Sequence, residues 1–579
     1  MVAKNSLTVV RNENQQLLPL KKNRKNKILY VGIGLSQENV IAKKLEEEFG
    51  ATFIPVDAKT SIAQTDIDQW SKDYSTILAG VHAYSFSPPN NFGISASQTQ
   101  LLQSLQQNDN AALLYFGNPY AISNSCAAKN IIAVYEDDSI FQQNAFEFLK
   151  GNLSARGKLP VTICPELKFG AGIVQPTYSP DPTSAYPKLY VIDSIAEDAI
   201  AKKVFPGCVV FAAKDGKIIY HKAFGNEEYN SSSAISRESI YDLASVTKVS
   251  ATTIAVMKLY EQGKIELDKT LGDYLSWTKG TDKAKLKIKD ILLHQAGLVP
   301  FITFYKETID TTTGVPNPAV YSDKSKPGFT IRVAENLYMR NDWNDTMLVR
   351  IAKSPLGPSG KYVYSDNDFI LLGKIVEALT GMTLDQYVQK TFYNKMGLAT
   401  TGFKPRDRFP VNQLVPTEEE KNHFRRQLIQ GDVHDEGASM FGGVSGHAGL
   451  FSDAYDLGTL YQMLLNGGEL NGVHYLKPET IRYFSAYHSD ISRRGYGFDK
   501  PEKDNATAKD PYPAKSASPE TFGHTGFTGT CVWVDPVSKL VFVFLSNRVY
   551  PTRNNSLLSD MSIRPKIMEA LYKATSVKK

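Results

Sequence analysis

A proline- and serine-rich stretch, Gln175–Pro187, divides the chain into two parts with different residue patterns. Proline lacks the amide hydrogen that a helix interior or a central strand needs, so this stretch fits neither element. A chain of 579 residues is also too long for one hydrophobic core. We therefore predict a linker over residues 175–187, an N-terminal domain over residues 1–174 and a C-terminal domain over residues 188–579.

Short apolar segments alternate with amphipathic stretches in the N-terminal part. The pattern predicts strands over residues 28–33, 76–79, 111–116 and 130–135, and helices over residues 38–49, 96–107 and 141–149. Strands that are apolar throughout are typical of a parallel sheet with both faces covered. The predicted fold is a three-layer α/β sandwich with a mostly parallel sheet.

The C-terminal part has a different order of elements. Two apolar runs flank the turn-forming Lys214–Lys217, which predicts an antiparallel hairpin. Further elements are predicted as helices over residues 246–262, 368–380 and 454–466, and as strands over residues 531–534 and 540–545. This order predicts an α+β fold, in which a helical block interrupts an antiparallel sheet whose first and last strands are distant in the chain.

Composition excludes several classes of protein. A net charge of +5 without a long Lys/Arg block is too small and too dispersed to indicate a nucleic-acid-binding surface, so we expect no nucleic-acid partner. No apolar run is long enough to span a bilayer, and the first residues do not form a signal peptide. We expect a periplasmic or secreted protein if an upstream signal is missing from this chain, and a cytoplasmic one otherwise.

The four cysteines show no metal-binding spacing, and all lie in or beside apolar runs. Buried free thiols are therefore predicted for Cys126, Cys164, Cys208 and Cys531. A disulfide stays open as an alternative, because secreted proteins form them readily.

A serine three residues before a lysine occurs three times, at Ser245–Lys248, Ser276–Lys279 and Ser576–Lys579. Only Ser245 opens a long apolar-periodic helix, where Lys248 lies one turn away and can take the proton of the serine hydroxyl. General capping preferences alone would make Ser245 a helix N-cap. Two downstream motifs favour the catalytic alternative.

These motifs are Tyr364-Ser365-Asp366 before a second apolar helix and His524-Thr525-Gly526 before a strand. With Ser245–Lys248 they resemble, in order, the three signature motifs of the class C β-lactamase, penicillin-binding protein and serine esterase superfamily. The resemblance covers about residues 189–573 and implies a β-lactamase-like fold with no cofactor.

The resemblance also implies roles for particular residues. Ser245 would form an acyl-enzyme, Lys248 and Tyr364 would share the base role, and Tyr364 would protonate the leaving group. The backbone N–H groups of Ser245 and Phe527 would form the oxyanion hole. The remaining implied contacts are to substrate and involve Asp366, His524, Thr525 and Gly526.

Two departures from the family pattern concern substrate choice. Asp366 stands where many members have an asparagine, which replaces an amide donor with an acceptor. His524 stands where β-lactamases usually have a lysine, and histidine is mostly neutral at pH 7. We therefore expect poor β-lactamase activity.

Other polar residues have simpler interpretations. His294 and His447 lie in glycine-flanked loops and are predicted to make structural hydrogen bonds. The acidic stretch Gly431–Gly437 lacks a second histidine at helical spacing, so we predict no metal and a loop at the edge of the substrate cleft. The aromatic-rich insertion Phe301–Trp343 is predicted to be a lid or to pack on the domain surface.

The N-terminal part, through Ser6–Leu20 and Gly157–Ile163, resembles the C-terminal α/β sandwich of family 3 glycoside hydrolases. That family carries its nucleophile on a preceding barrel, which this chain lacks. Although Glu136 and Asp137 lie at a predicted strand end, glycosidases need two carboxylates across the sugar, so we expect no glycosidase activity. A glycosidase barrel upstream in a longer polypeptide is the partner that the resemblance implies.

The combined resemblances imply a substrate class. Family 3 glycosidases linked to such hydrolases include enzymes that trim cell-wall fragments, so the leading hypothesis is cleavage of an amide in muropeptides. An esterase acting on small esters is the first alternative. A catalytically idle cell-wall-binding module beside a glycosidase is the second.

Overall fold

The computed structural model describes residues 6–13, 17–20, 27–151, 153, 155, 157–173, 186–310, 312–421, 423–470 and 472–576. The chain divides into two units, unit 1 over Met1–Asp181 and unit 2 over Pro182–Lys579. This division falls within the predicted linker 175–187, of which residues 175–185 lie outside the described residues. Each unit is described separately.

Unit 1 contains a six-stranded sheet with the order β1-β6-β5-β4-β2-β3. Strands β2 to β6 are mutually parallel, and β1 is antiparallel to β6 at the edge, so the sheet is mostly parallel as predicted. The strands are β1 Thr8–Asn12, β2 Ile28–Ile33, β3 Thr52–Val56, β4 Thr76–Val81, β5 Ala111–Tyr115 and β6 Asn130–Ala133.

Helices lie on both faces of this sheet. They are α1 Val40–Phe49, α2 Gln64–Asp73, α3 Ala96–Leu105 and α4 Ser139–Leu149. Leu29 and Val31 of β2 pack with residues of α2 and α3, whereas Ile28 and Tyr30 pack with residues of α1 and α4. Successive strand residues point to opposite faces, so the fully apolar strand sequence reflects burial on both sides.

Three elements of unit 1 were not predicted: β1, β3 and α2. Strand β3 contains Pro55 and is largely exposed, which obscures its strand pattern. Proline is tolerated there because β3 pairs only with β2 and lies at the sheet edge. Helix α2 buries only Ile67, so its apolar periodicity is weak.

The cysteine prediction is wrong for one pair. Cys126 and Cys164 form a disulfide with Cα atoms 6.6 Å apart, although 38 residues separate them in sequence. Both lie beside the hydrophobic cluster that contains β5 and α3. Cys208 and Cys531 of unit 2 are free and buried.

Unit 2 contains a five-stranded antiparallel sheet with the order β18-β19-β20-β7-β8. Its strands are β7 Gly207–Lys214, β8 Lys217–Gly225, β18 Phe522–Thr525, β19 Cys531–Asp535 and β20 Leu540–Ser546. The β7–β8 turn places Asp215 and Gly216 at positive φ, the backbone conformation of the predicted tight hairpin. As predicted, strands from distant parts of the chain complete one sheet.

Helices cover this sheet and form a separate block. Helices α5 and α17 pack on one face through residues such as Ile192 and Ile567, and α14 contacts β7, β19 and β20. The helices of unit 2 are α5 Tyr190–Ala201, α6 Ile254–Glu261, α7 Leu271–Tyr274, α8 Ile288–Leu292, α9 Trp343–Lys353, α10 Asp366–Thr380, α11 Leu384–Val388, α12 Asn394–Met396, α13 Glu436–Met440, α14 Ala454–Leu465, α15 Pro478–Ser485, α16 Leu557–Asp560 and α17 Ile563–Thr575.

Short strands form small additional sheets in unit 2. They are β9 Tyr241–Asp242, β10 Tyr321–Ser322, β11 Ile331–Ala334, β12 Leu337–Met339, β13 Pro416–Glu419, β14 Leu428–Gln430, β15 Phe451–Ser452, β16 Glu469–Leu470 and β17 Val473–His474. Strand β9, which pairs with β15, ends shortly before Ser245 in the chain. Within the described part of the chain, no helix combines the length and apolar character needed to cross a bilayer.

Candidate active site

Ser245 lies in a turn between β9 and a helix whose start is irregular. A π-helical segment, Lys248–Thr253, precedes α6, so the predicted single helix 246–262 is wrong in its first part. Ala244 has a φ of 46°, which is uncommon for a residue with a side chain. Its N–H donates to Asp242 Oδ1 at 2.8 Å, which helps hold this conformation. π-Helical segments and strained residues of this kind often occur at functional sites.

Lys248 is fully buried and contacts three acceptors. Its Nζ donates to Ser245 Oγ at 2.9 Å, to Asp366 Oδ1 at 2.7 Å and to the His447 carbonyl oxygen at 3.1 Å. An ammonium group has three hydrogens to donate, and each of them has an acceptor here. The structure therefore brings together the serine and lysine of the first motif and the aspartate of the second.

Tyr364 completes this group from the residues preceding α10. Its ring centroid lies 5.0 Å from Lys248 Nζ. The segment is anchored to Val299, whose carbonyl oxygen accepts hydrogen bonds from Ser365 Oγ at 2.6 Å and from Asn367 Nδ2 at 2.9 Å. The loop at Val299 thus positions the second motif.

The two titratable groups beside Ser245 hold their protons in the free protein. Burial by itself lowers the pKa of Lys248, but the Asp366 carboxylate and the Tyr364 hydroxyl more than offset it, and the pKa is raised above its ordinary value. Burial raises the pKa of Tyr364, although the nearby Lys248 opposes this shift. The resting site therefore contains an ammonium and a phenol beside the serine hydroxyl.

The third motif reaches the serine through the turn between β18 and β19. Thr528 Oγ1 donates to the Asp242 carbonyl oxygen at 2.8 Å, and Thr530 Oγ1 donates to the Leu243 carbonyl oxygen at 3.0 Å. A Cβ on Gly526 would overlap that same Leu243 oxygen, so only glycine allows this close approach. Phe527, within the turn, lines one cavity together with Ser245.

His524 is buried and is not among the residues that line the cavity. Its Nδ1 donates to the Thr525 carbonyl oxygen at 2.7 Å. Burial, with the nearby positive charge of Arg494, lowers the pKa of His524 to about 3, so the ring is neutral. His524 and Thr525 end β18 beside Gly526, whereas Asp366 lines the cavity.

The cavity has a volume of about 380 Å³ and is bounded by several loops. Phe301 and Tyr305 from the aromatic insertion line it, while later residues of the insertion form the small sheet of β10, β11 and β12. Asp435 and Glu436 from the acidic stretch line the cavity as well. The stretch therefore borders the same space as Ser245.

Sequence reasoning did not place two residues at the site. His447 makes the structural hydrogen bonds predicted for it, with Nε2 2.8 Å from Asp435 Oδ1 and Nδ1 2.9 Å from Ser445 Oγ, and it also lines the cavity. Arg494 is 4% exposed, and its guanidinium lies 5.4 Å from the Tyr364 ring centroid. Its local sequence carries no motif, so no signal was available to find it.

His294 lies under the second motif. Its Nδ1 is 2.8 Å from Asp368 Oδ2, and its ring centroid is 4.5 Å from that of Tyr364. Burial lowers the pKa of His294 well below its ordinary value. A neutral, hydrogen-bonded ring supporting Tyr364 agrees with the structural role expected for it.

Two groups of carboxylate and histidine side chains have ligand atoms within 4.8 Å of one another. They are Asp366, Asp435 and His447, and Glu420, His423 and Glu436. The Lys248 ammonium already binds the first group through Asp366, and the Arg553 guanidinium binds Glu436 at 2.6 Å in the second. Since a fixed cation already binds one carboxylate of each group, neither group is suited to a metal ion.

Asp137 of unit 1 is one of the two acidic residues at the predicted strand end. Its Oδ1 accepts from Gln142 Nε2 at 2.9 Å and lies 2.7 Å from His82 Nδ1, and its Oδ2 accepts from the Ala83 N–H at 2.9 Å. Both carboxylate oxygens are thus used in holding the loops at this edge of the sheet.

Comparisons with known proteins concern mainly unit 2. The sequence profile of the family described as Beta-lactamase matches residues 192–560, more than half of the chain. Proteins described as putative D-alanyl-D-alanine carboxypeptidase in Salmonella paratyphi A and Salmonella enteritidis are each 33% identical over 412 residues, covering 66% of this chain and 88% of the relative.

Solved structures with similar chains were also found. EstCE1, described as a hydrolase with promiscuous acyltransferase activity, has a TM-score of 0.49 and 22% identity, covering 66% of this chain and 99% of its own. A penicillin-binding protein homologue from Caulobacter crescentus has a TM-score of 0.47 and 19% identity, covering 69% of this chain and 98% of its own.

Proposed function

Because this chain belongs to the Beta-lactamase family, we propose that unit 2 is a serine hydrolase that forms an acyl-enzyme on Ser245. The observation that carries the proposal is the 2.9 Å contact between Lys248 Nζ and Ser245 Oγ in a cavity that Tyr364 and Phe527 also line. Ser245 lies next to a lysine and a tyrosine that can serve as base once the pair loses a proton, and it faces an opening for substrate, which meets the geometric requirement for nucleophilic catalysis.

The proposed first step is attack of Ser245 Oγ on the substrate carbonyl carbon. Lys248 and Tyr364 are both protonated at rest, so one proton must leave this pair before it can accept the serine proton. Tyr364 then protonates the leaving group. The N–H groups of Ser245 and Phe527 stabilise the oxyanion, and each such donor is worth about 3 kcal/mol in the transition state. Water hydrolyses the acyl-enzyme by the reverse proton path.

The proposed substrate is an amide in peptidoglycan-derived muropeptides. The 33% identical relatives are described as putative D-alanyl-D-alanine carboxypeptidases, which supports a cell-wall amide. The resemblance of unit 1 to the sandwich domain of family 3 glycoside hydrolases supports the same class. Efficient β-lactam hydrolysis is not proposed, since His524 is neutral and offers no cation for the penicillin carboxylate.

An esterase is the second candidate, and one observation favours it. Lys248 beside Ser245 and Arg553 on the cavity wall are already bound to carboxylates, so a neutral ester would fit without an unpaired charge. Turnover of muropeptides and short-chain esters by the purified protein separates the candidates. Rapid turnover of esters alone would contradict the amide proposal.

Labelling with a fluorophosphonate probe tests the nucleophile itself. Wild-type protein should be labelled and Ser245→Ala should not, while Ser276→Ala, from another Ser-x-x-Lys sequence, should label normally. Absence of labelling in the wild type would favour the idle binding module. Normal labelling of Ser245→Ala would place the nucleophile elsewhere.

We also propose a partner enzyme and a cellular compartment for this protein. An upstream glycosidase barrel in a longer polypeptide would release the muropeptides on which unit 2 acts. The Cys126–Cys164 disulfide supports a periplasmic or secreted location, because disulfides persist in oxidising compartments.

A further inference from the structure

The cavity at Ser245 presents hydrogen-bond acceptors that lack partners. One belongs to Asp435 and the other to Asn367, which approach the cavity from different parts of the chain. The charges and contacts of these two residues indicate what chemical group the cavity can bind.

Asp435 uses only one of its two carboxylate oxygens. Oδ1 accepts from the Ala438 N–H at 2.8 Å and lies 2.8 Å from His447 Nε2, whereas Oδ2 has no hydrogen-bond partner among the described residues. The side chain is 33% exposed, so this oxygen is within reach of a ligand. Burial favours the neutral acid, but His447 more than offsets it and lowers the pKa of Asp435. Asp435 is therefore an anion.

Asn367 provides a second, independent acceptor. The residue is 1% exposed, its Nδ2 donates to the Val299 carbonyl oxygen at 2.9 Å, and its Oδ1 has no partner among the described residues. A buried carbonyl oxygen without a donor is costly unless a water or ligand donates to it. Asn367 lines the cavity, so a ligand N–H that reaches this side chain would satisfy the oxygen.

The other charges of the cavity wall are neutralised. Asp366 is bound to Lys248, and Arg553 binds Glu418 and Glu436, each at 2.6 Å. Among the carboxylates of the wall, Asp435 pairs with a histidine, His447, and not with a lysine or an arginine of the described residues. A ligand cation would complete this set.

We propose that the cavity recognises a primary ammonium group on the acyl part of the substrate, with Asp435 as its counter-ion and Asn367 as a second acceptor. A carboxylate oxygen of Asp435 lies within 4.8 Å of one of Asp366, which itself contacts Lys248 beside Ser245. The ammonium would therefore lie close to the scissile carbonyl, as in an aminoacyl amide or ester with an unblocked amine. This inference rests on the proposed function, since it assumes that the carbonyl is presented to Ser245.

Calorimetric binding to the Ser245→Ala variant tests the proposal without turnover. The ligands are D- and L-alaninamide, which carry an ammonium, and their N-acetyl derivatives, which do not. At least one alaninamide should bind about tenfold to a hundredfold more tightly than its N-acetyl derivative, as expected for a charge-assisted hydrogen bond. Equal or tighter binding of the N-acetyl compounds, or no binding of either alaninamide, would overturn the proposal.

In the Ser245→Ala protein, the additional substitution Asp435→Asn should reduce the preference for alaninamide over its N-acetyl derivative to less than about threefold. Asparagine is as good an N-cap as aspartate, so the contact with the Ala438 N–H should persist and the protein should fold. Asp323→Asn, an exposed carboxylate outside the cavity, is the matched control and should keep the full preference. An undiminished preference in Asp435→Asn would overturn the role of Asp435.

The hydrolase proposal and the ammonium-recognition proposal can be disproved independently of each other. Fluorophosphonate labelling of Ser245 without any ammonium preference would contradict only the recognition of an ammonium group. Ammonium-selective binding without labelling of Ser245 would instead contradict the hydrolase and leave a binding cavity.

Discussion

At the scale of single residues, the ion pair between Lys248 and Asp366 has the largest consequence for chemistry. The family resemblance implies substrate contacts for Asp366, and the structure also places its carboxylate 2.7 Å from Lys248 Nζ. A carboxylate at this distance stabilises the ammonium, which is the form of lysine that cannot accept a proton. Asp366 therefore sets the pH at which Lys248 becomes a base.

Asp366→Asn should shift the pH dependence of Ser245 labelling. Without the carboxylate, burial lowers the pKa of Lys248, so the neutral amine is reached at lower pH. The midpoint of the rising limb of the labelling rate should move down by about one unit or more. Asp323→Asn serves as the control and should keep the wild-type midpoint. An unchanged midpoint in Asp366→Asn would show that Lys248 does not limit labelling.

His524 should make stability dependent on pH. Its pKa of about 3 in the folded protein compares with 6.5 for an unperturbed histidine, so between these values only the unfolded chain binds the proton. Stability must then fall as pH falls through this window. When the pH falls from 7 to 5, the free energy of unfolding should decrease by about 2 kcal/mol.

The His524→Gln variant should not show this pH-dependent loss of stability. Urea unfolding at pH 7 and pH 5 measures the loss of stability in each protein, and the wild type should lose about 2 kcal/mol more than the variant. Equal losses would mean that His524 is protonated in the folded protein.

At the scale of elements, the turn after β18 joins the third motif to Ser245. Gly526→Ala should push this turn away from Leu243, because the added Cβ overlaps the Leu243 carbonyl oxygen and Thr530 Oγ1. The expected destabilisation is about 1–3 kcal/mol. Displacement of the Phe527 N–H should also slow labelling about a hundredfold or more.

Gly357→Ala is the matched control, because a Cβ there meets only an ordinary contact at 3.6 Å. Thermal unfolding and labelling rates compare the two variants. Normal labelling by a folded Gly526→Ala would exclude Phe527 from the oxyanion hole.

Sequence periodicity predicted the buried elements well and the exposed or irregular ones poorly. Helix α14 and the strands β2, β19 and β20 were predicted within two residues of their bounds, because their apolar patterns follow one period throughout. The π-helical Lys248–Thr253 was missed, since all of its residues are buried and no polar face marks the change of period.

The three motifs of the site could be found in the sequence, but their mutual contacts could not. Lys248 is 118 residues from Asp366 and 199 residues from His447, so no local pattern relates them. A motif match gives each residue a role but does not say which other motif residues it contacts. The contact between Asp366 and Lys248 depends on three-dimensional packing, so sequence spacing could not predict it.

At the scale of the whole molecule, each unit has hydrophobic clusters of its own. The clusters of unit 1 contain only its own strands and helices, and the sheet of unit 2 packs with α5 and α17. The disulfide Cys126–Cys164 closes a loop within unit 1. A change in unit 1 should therefore leave the chemistry at Ser245 intact.

Replacing both Cys126 and Cys164 with serine tests this independence. A crosslink across 38 residues stabilises by restricting the unfolded chain, by about 3–4 kcal/mol. Unit 1 of the variant should unfold at lower denaturant concentration, while the labelling rate of Ser245 stays within about twofold of wild type, as expected for distant, independent sites.

Cys208→Ser provides the reciprocal change, because it introduces a hydroxyl into the hydrophobic core of unit 2. This variant should destabilise unit 2 and lower the temperature at which labelling is lost, without affecting unfolding of unit 1. Limited proteolysis across a denaturant series can follow the two units separately, since each yields its own protected fragment. If the double serine variant lost labelling together with unit 1, the folding of unit 2 would depend on unit 1, and the two units would form one cooperative structure.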